Sequence, residues 1–283
     1  MTEEFIRERR YFKGVSPAKL QWYESSFKAF DGALDSKVSI VQRIEELVCR
    51  GVRPVSINTY LRAVNAYLHW RDGKGEKCSP QCTHLHVPRL KEEEKILATL
   101  SADQVQRLIR FKPGGRNLSR AHILALLLLD TGLRFAEALR LRWEDIDLEN
   151  LLVKVVGKGG KHRVVPISLE GRKVLFKWKQ QSKFDYIFAT RNGTFPTQRN
   201  VGRDFALLGQ RAGVQGVRFS PHTFRHTFAV SYLRAGGNVL YLQRILGHSS
   251  LEITNVYLKT LGAADLQVVH DKFSLLNKKG SRP

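Results

Sequence analysis

The chain has 283 residues, 42% of them hydrophobic, which is enough to bury a sizeable core and to form two domains. It carries 47 Lys and Arg residues against 26 Asp and Glu residues, a formal net charge of +21, and most of this excess lies in residues 91–283. Such an excess of positive charge predicts a polyanionic partner. The three cysteines are an odd number, which argues against a disulfide scaffold.

Neither a secretory signal nor a membrane anchor is expected. The N-terminus, MTEEFIRERRYF, is highly charged and lacks an apolar core. The most apolar run, Ile123 to Leu129, is far too short to span a bilayer. We therefore expect a cytoplasmic protein without a membrane partner.

Three amphipathic helices are predicted near the N-terminus, in the stretches 19–34, 38–52 and 56–73. Their apolar residues recur at three- and four-residue spacing, and Ser56 is the predicted N-cap of the third helix. The pattern indicates a small helical domain over residues 1–88 and by itself shows no more than a helical bundle.

A charged linker is predicted at residues 89–98, between this domain and a second one that spans residues 99–283. The segment before it contains four residues of the types that bind zinc: Cys78, Cys82, His84 and His86. The last three are spaced more tightly than the usual zinc pairs, so a connecting segment with incidental thiols is favoured over a metal site.

The second domain opens with a helix for which Ser101 is the predicted N-cap, followed by an apolar helix that ends at Gly132. That helix is apolar on nearly all sides and is expected to form the spine of the domain. Arg134 and Glu137 come directly after it. Their spacing alone is also typical of a weak ion pair on a helix surface.

The hydrophobic period then changes to that of strands. Stretches 152–156 and 163–167 are predicted to form an antiparallel hairpin whose tip, 157–161, is rich in glycine and lysine. The spacing of a phosphate-binding P-loop is missing. Two basic helical segments, 169–182 and 197–212, follow.

The stretch from residue 220 to residue 257 contains the most concentrated chemistry. The pair Ser-Pro at 220–221 predicts a helix start, and His222 then lies in the first turn, where the helix dipole favours an anion. Arg225 follows on the same face, and Ser249 is expected to begin another helix that carries Tyr257. The group indicates a phosphate held beside a phenol.

Three motifs in this order resemble those of the tyrosine recombinase (phage integrase) family, in its Xer-like or transposon-encoded branches. They are TGLRFAEAL at 131–139, HTFRHTFA at 222–229, and LGHSS at 246–250 with a tyrosine nine residues after its histidine. The similarity covers nearly the whole chain and is greatest over residues 99–260. It implies a mainly α fold, with a helical core-binding domain that clamps DNA. It also implies that the next domain is catalytic and mostly helical, with a small antiparallel sheet. A C-terminal helix of that domain would dock on a neighbouring subunit.

The resemblance also implies an activity: site-specific DNA recombination through a covalent 3′-phosphotyrosyl intermediate, with strand exchange in a homotetramer through a Holliday junction. The catalytic residues implied are Arg134, Lys158, His222, Arg225, His248 and Tyr257. In this scheme the two arginines bind the phosphate, Tyr257 attacks, His222 is the base and Lys158 is the general acid. His248 is expected to hydrogen-bond the scissile phosphate.

Other residues are expected to support these or to contact DNA. Glu137 and His226 would position the catalytic side chains. The expected DNA contacts are Lys161, Arg199, Arg203, Arg211 and Arg62. No cofactor is expected, because the covalent bond conserves the energy of the ester. The histidines at 222, 226 and 248 are not expected to bind a catalytic metal, since Arg225 would repel it and the motif lacks a glutamate base.

Two alternatives of other classes remain open. A protein of the same fold that binds and bends or regulates DNA without cutting it would share the basic surface. A type IB topoisomerase would share the chemistry, although the chain is short and its motifs are similar to those of integrases. A tyrosine is also more often a core aromatic than a nucleophile, and only its surrounding motif changes that expectation for Tyr257.

Overall fold

The computed structural model describes residues 1–73, 86–92, 97–157, 160 and 162–273. The chain divides into two compact units, 1–95 and 96–283. The fold is mainly α with one small antiparallel sheet, which confirms the predicted class. Of the zinc-ligand candidates, His86 is exposed, and Cys78, Cys82 and His84 lie outside the described residues.

The helices of the first unit are α1 Thr2–Tyr11, α2 Pro17–Phe30, α3 Lys37–Cys49 and α4 Pro54–Gly73. Those of the second unit are α5 Ala102–Arg110, α6 Arg116–Thr131, α7 Phe135–Leu139, α8 Leu169–Gln181, α9 Gln198–Arg211, α10 Pro221–Arg234, α11 Val239–Leu246, α12 Leu251–Leu258 and α13 Ala263–Phe273. A short 3-10 turn, Trp143–Asp145, precedes strands β1 Ile146–Asp147, β2 Leu152–Val156 and β3 His162–Pro166.

An aromatic cluster forms the centre of the first unit. The ring of Phe5 lies edge-on to Tyr23, Phe27 and Tyr67, and all four side chains are buried. Phe5 belongs to α1, a helix that the sequence did not predict. Phe5 is the one buried residue of this highly charged helix, so α1 has no apolar stripe.

The third predicted helix begins earlier than expected. It starts at Pro54, so Ser56 lies inside the first turn and the prediction that it caps the helix is wrong. Proline is favoured at the first helical position because its fixed φ suits the helix. It lacks an N–H, and an N–H at that position would have no partner within the helix.

Two asparagines of α4 bind the main chain that leaves the first unit. Asn65 donates to the carbonyl of Val87 and accepts from its N–H, both at 2.9 Å. Asn58 forms the same pair with Leu90, at 2.9 and 2.8 Å, and its amide also donates to Glu92. Residues 87–92, part of which was predicted to be linker, therefore pack along α4.

Helix α6 is the spine of the second unit, as predicted, and ends at Gly132. The predicted hairpin is present as β2 and β3, antiparallel with Val153 opposite Val165, and β1 adds a third strand that the sequence did not predict. Ser101 caps α5 as predicted, within a capping box that includes Gln104. No helix among the described residues has the length and apolar character needed to cross a bilayer.

Candidate active site

A buried arginine, Arg225, lies at the centre of the site. The predicted cap is present: Ser220 accepts from the N–H of Thr223, and Arg225 follows one turn into α10. Its guanidinium donates to the carbonyls of Gly132, at 2.7 Å, and Leu246, at 2.8 Å. Only 7% of the residue is exposed, and burial lowers its pKa to about 10. Such a lowering means that the cation lacks full compensation for its lost hydration.

Two glycines allow these close approaches. Gly132 has a φ of 62°, and a Cβ there would lie 2.3 Å from the Phe228 ring and 2.8 Å from Leu246. Gly247 has a φ of 65°, and a Cβ there would lie 2.9 Å from the Arg163 guanidinium. Glycine adopts this left-handed conformation without steric cost. Both positions therefore let the backbone supply carbonyl acceptors to arginines.

Glu137 binds two arginines at once. Arg163 donates to both of its carboxylate oxygens, at 2.9 and 2.7 Å, and Arg134 donates to one of them at 3.0 Å. Arg134 also donates to the carbonyl of Gly247 at 2.5 Å. Burial raises the pKa of Glu137, but the hydrogen bonds from Arg163 and Arg134 outweigh it, so the net pKa is lowered. Glu137 is therefore a carboxylate that orients the arginines.

Arg163 was not identified from the sequence. It lies on β3, on the same face as the fully buried Val165, and its Nε donates to the carbonyl of Ile245 at 3.0 Å. Strand alternation already places it on the buried face, and a charge there requires a partner. The alternation of β3 could therefore have identified Arg163 as a structural arginine from the sequence.

The phenol of Tyr257 is buried beside these arginines. Tyr257 lies on α12, which begins at Leu251 after Ser250, so the prediction that Ser249 caps this helix is wrong. Only 4% of Tyr257 is exposed. Burial raises its pKa, and the charge and hydrogen bond of Arg225 lower it only in part. The phenol is therefore protonated at neutral pH.

His248 lies between Arg225 and α12. Its Nε2 is 2.9 Å from Nη2 of Arg225, and its Nδ1 is 2.8 Å from Oγ1 of the buried Thr254. A guanidinium only donates, so Nε2 accepts and Nδ1 carries the proton that it donates to Thr254. Burial first, and then the charges of the neighbouring arginines, lower the pKa of His248 to about 4. His248 is thus a neutral ring with both nitrogens engaged.

Thr254 is a second residue that the sequence did not identify. It is fully buried and lies three residues before Tyr257 on α12. Residues three apart on a helix lie on the same face. The contact between Thr254 and His248 therefore ties the orientation of that ring to the helix that carries the phenol.

The two histidines of α10 differ in burial and in their contact with the phenol. Nδ1 of His226 lies 3.2 Å from the Tyr257 hydroxyl. His222, the predicted base, is exposed, and its ring centroid is 6.4 Å from that of His226. Of these two histidines, His226 is the one that hydrogen-bonds to the phenol, although it was predicted only to support the site.

The remaining predicted residues are distributed as follows. Lys158 and Lys161 lie outside the described residues, in the stretch between Val156 and His162, where β2 ends and β3 begins. Arg199, Arg203 and Arg211 are exposed on α9. In the first unit, Arg62 is exposed on α4, with its guanidinium 5.9 Å from the Trp22 ring.

Comparisons with known proteins agree on one family. A profile described as the phage integrase family matches residues 98–262. The tyrosine recombinase XerC of Xanthomonas campestris pv. campestris (strain B100) is 33% identical over 211 residues, 74% of this chain and 65% of that protein. This match covers slightly less than two thirds of the XerC length.

A second relative is similar over nearly its full length. The tyrosine recombinase XerA of Thermococcus kodakarensis (strain ATCC BAA-918 / JCM 12380 / KOD1) is 30% identical over 277 residues, 94% of this chain and 93% of that protein. Among solved structures, the Tn1549 transposon integrase in complex with transposon right end DNA has a TM-score of 0.75 at 17% identity, over 96% of this chain and 98% of that one. The structural likeness concerns the fold. Together with the profile match over more than half of the chain, the similarity to XerA shows that the chain belongs to the phage integrase family.

Proposed function

We propose that the protein is a site-specific DNA recombinase that cuts and rejoins strands through a covalent 3′-phosphotyrosyl intermediate. The observation that carries this proposal is a buried, protonated phenol, Tyr257, beside a buried guanidinium, Arg225, that lacks a carboxylate partner among the described residues. A cation in that state favours an anion, and a phosphodiester supplies one next to a nucleophile.

The arginines would stabilise the transition state. Attack on a phosphodiester adds negative charge to the non-bridging oxygens as the pentacoordinate transition state forms. Arg225 and Arg134 are fixed in advance by carbonyls and by Glu137, so they would bind that charge without reorganising. His222, exposed in the first turn of α10, would add a donor to the same phosphate.

Bonds and protons balance in the proposed cleavage. The Tyr257 oxygen forms a bond to phosphorus, the bond from phosphorus to the 5′-oxygen breaks, and the 5′-oxygen takes a proton. By family resemblance Lys158 supplies that proton. The new ester keeps the energy of the old one, so the reverse step rejoins DNA without ATP or a metal.

Double-stranded DNA is the proposed substrate. The exposed arginines of α9 would contact phosphates or base edges, and Arg62 would do so from the first unit, which we propose to be the core-binding domain. In this chain α13 contacts its own α10 through the ion pair of Arg234 with Asp265 at 3.1 Å. We propose that the working form is a cytoplasmic homotetramer that exchanges strands through a Holliday junction, with α13 contributing to subunit contacts.

A covalent trapping assay tests the function. The probe is a nicked duplex that carries a sequence selected by the protein from a random-sequence duplex library. Wild type should form a denaturation-resistant adduct at a 3′ end, and Tyr257→Phe should form none while keeping its DNA affinity. Tyr241→Phe is the matched control, because Tyr241 is an exposed tyrosine on α11, and it should behave as wild type.

Other outcomes would overturn the proposal. Specific binding without an adduct would favour the non-cleaving regulator. An adduct that persists in Tyr257→Phe would assign the nucleophile elsewhere. Supercoil relaxation without any sequence preference would favour the topoisomerase.

A further inference from the structure

The phenol of Tyr257 must lose its proton to become an ester, and burial restricts where that proton can go. Only 4% of the residue is exposed, so bulk water is not an adjacent acceptor. The guanidinium of Arg225 interacts with the same hydroxyl, but it can only donate. The phenolic proton is therefore left to a different neighbour.

We propose that His226 is the general base that takes this proton, through Nδ1, which lies 3.2 Å from the Tyr257 hydroxyl. The inference rests on the proposed function. As the Tyr257 oxygen bonds to phosphorus, its proton moves to Nδ1 and His226 becomes an imidazolium. When DNA is rejoined, the same proton returns to the departing phenolate.

The other two histidines of the site are less suited to this step. His248 accepts from Arg225 at Nε2 and donates to Thr254 at Nδ1, so neither nitrogen is available to the phenol. Its ring lies parallel to the Tyr257 ring, with centroids 6.2 Å apart, rather than pointing an atom at the hydroxyl. His222 is exposed one turn before His226.

The protonation states are those that general-base catalysis requires. Burial, and then the charges of His222 and Arg225, lower the pKa of His226, so its ring is neutral at pH 7 and able to accept. The charged and titratable groups described around it are His222 and Arg225 on α10 and Tyr257 on α12.

The cleavage rate as a function of pH tests the proposal. The substitution His226→Asn keeps an acceptor oxygen near the position of Nδ1 but removes the basic nitrogen. On the selected nicked duplex, under single-turnover conditions, we expect cleavage to be about 10²–10⁴-fold slower. The wild-type rate should decline at acid pH as His226 is protonated, and this decline should disappear in His226→Asn.

His222→Asn is the matched comparison on the same helix. It should lower the rate through weaker phosphate binding while keeping the decline at acid pH. A His226→Asn protein with the wild-type rate and pH profile would overturn the inference, as would a His222→Asn protein that loses the acid decline. Wild type without any adduct would instead overturn the proposed function, which separates the two failures.

A measurement on DNA-free protein keeps the inference testable if His226→Asn does not fold. In protein labelled with ¹⁵N-histidine, Nδ1 of His226 should be unprotonated near pH 7, and its chemical shift should change in Tyr257→Phe. A proton on Nδ1 in the wild type would overturn the proposal, because such a nitrogen donates to the phenol and cannot accept from it.

Discussion

The two arginines expected to bind phosphate are held in contrasting ways. Arg134 is 43% exposed at its side chain and lies in a carboxylate-held region with Glu137 and Arg163. Arg225 is buried in a carbonyl-held region, where it donates to the carbonyls of Gly132 and Leu246 and to a neutral His248. The half-buried arginine thus has an anionic partner, whereas the fully buried one is bound by neutral dipoles.

This contrast separates orientation from charge. In the carboxylate-held region one negative charge is shared by two arginines, which fixes their planes and offsets part of their field. In the carbonyl-held region the charge of Arg225 remains, and its lowered pKa reflects the cost of burying it. Binding of a phosphodiester would change the electrostatics most at Arg225.

Removing the charge of the carbonyl-held region should have the largest effect. We expect Arg225→Gln to slow cleavage by about 10³-fold or more, because a preorganised donor to the transition state is lost and two buried carbonyls lose their partner. The pKa of His248 should rise, since the charge of Arg225 contributes to lowering it. Single-turnover cleavage and an NMR titration of His248 measure the two effects.

Arg134→Gln provides the comparison between the regions. It should also slow cleavage, but the pKa of His248 should move less, because the charge of Arg134 contributes less than that of Arg225. Equal movement of this pKa in both variants would show that the two arginines are electrostatically equivalent and that the contrast is only one of packing.

Removing the carboxylate should mainly reduce stability. We expect Glu137→Gln to lower the free energy of unfolding by about 3 kcal/mol, because two arginine side chains lose a buried anionic partner. Glu144→Gln is the matched control: Glu144 pairs with Arg142 at 3.4 Å and its side chain is 72% exposed, so the cost should stay below about 1 kcal/mol. Urea denaturation measures both, and equal costs would show that the pairs of Glu137 contribute no more than a surface pair.

Acid should weaken the carbonyl-held region to a smaller extent. The pKa of His248 is about 4 in the folded protein and about 6.5 in an unfolded chain, so folding favours the neutral ring. Its contribution is complete above pH 6.5 and is lost as the pH falls towards 4. After allowance for its partial exposure, we expect the free energy of unfolding to fall by about 1–2 kcal/mol from pH 7 to pH 5.

The control for this prediction is His248→Asn, in which that share of the pH dependence should be absent. The burial-lowered pKa values of His122 and His226 act in the same direction, so part of the slope should remain. Identical slopes in wild type and variant, measured by urea denaturation at several pH values, would contradict the role assigned to His248.

Local sequence signals predicted most of the fold and part of the site. Ser101 and Ser220 cap helices where predicted, because a side-chain oxygen followed by helix-forming residues suffices for a start. The same rule was wrong at Ser56 and Ser249, because the helices begin at Pro54 and, after the N-cap Ser250, at Leu251. Where two neighbouring residues could each begin the helix, tertiary packing decides between them, and a local sequence pattern carries no information about that packing.

The site was less predictable because its contacts join distant parts of the chain. Motif resemblance identified Glu137, but not that Arg163, twenty-six residues later, is its bidentate partner. Spacing along α10 places His222 and His226 on one face and does not decide which ring meets a phenol thirty-one residues away from His226. Such choices depend on how α10, α12 and β3 pack against one another.

The reliance of Arg225 on main-chain carbonyls has a consequence for protein engineering. The main-chain carbonyl groups at positions 132 and 246 are present whatever side chain each residue carries. Their geometry therefore depends on the backbone path rather than on side-chain chemistry. Exposed positions of α9, which we propose to contact DNA, such as Arg199 and Arg203, can therefore be randomised in a search for new target sequences while the anion site keeps its shape. The two glycines, by contrast, should be held constant in any such library.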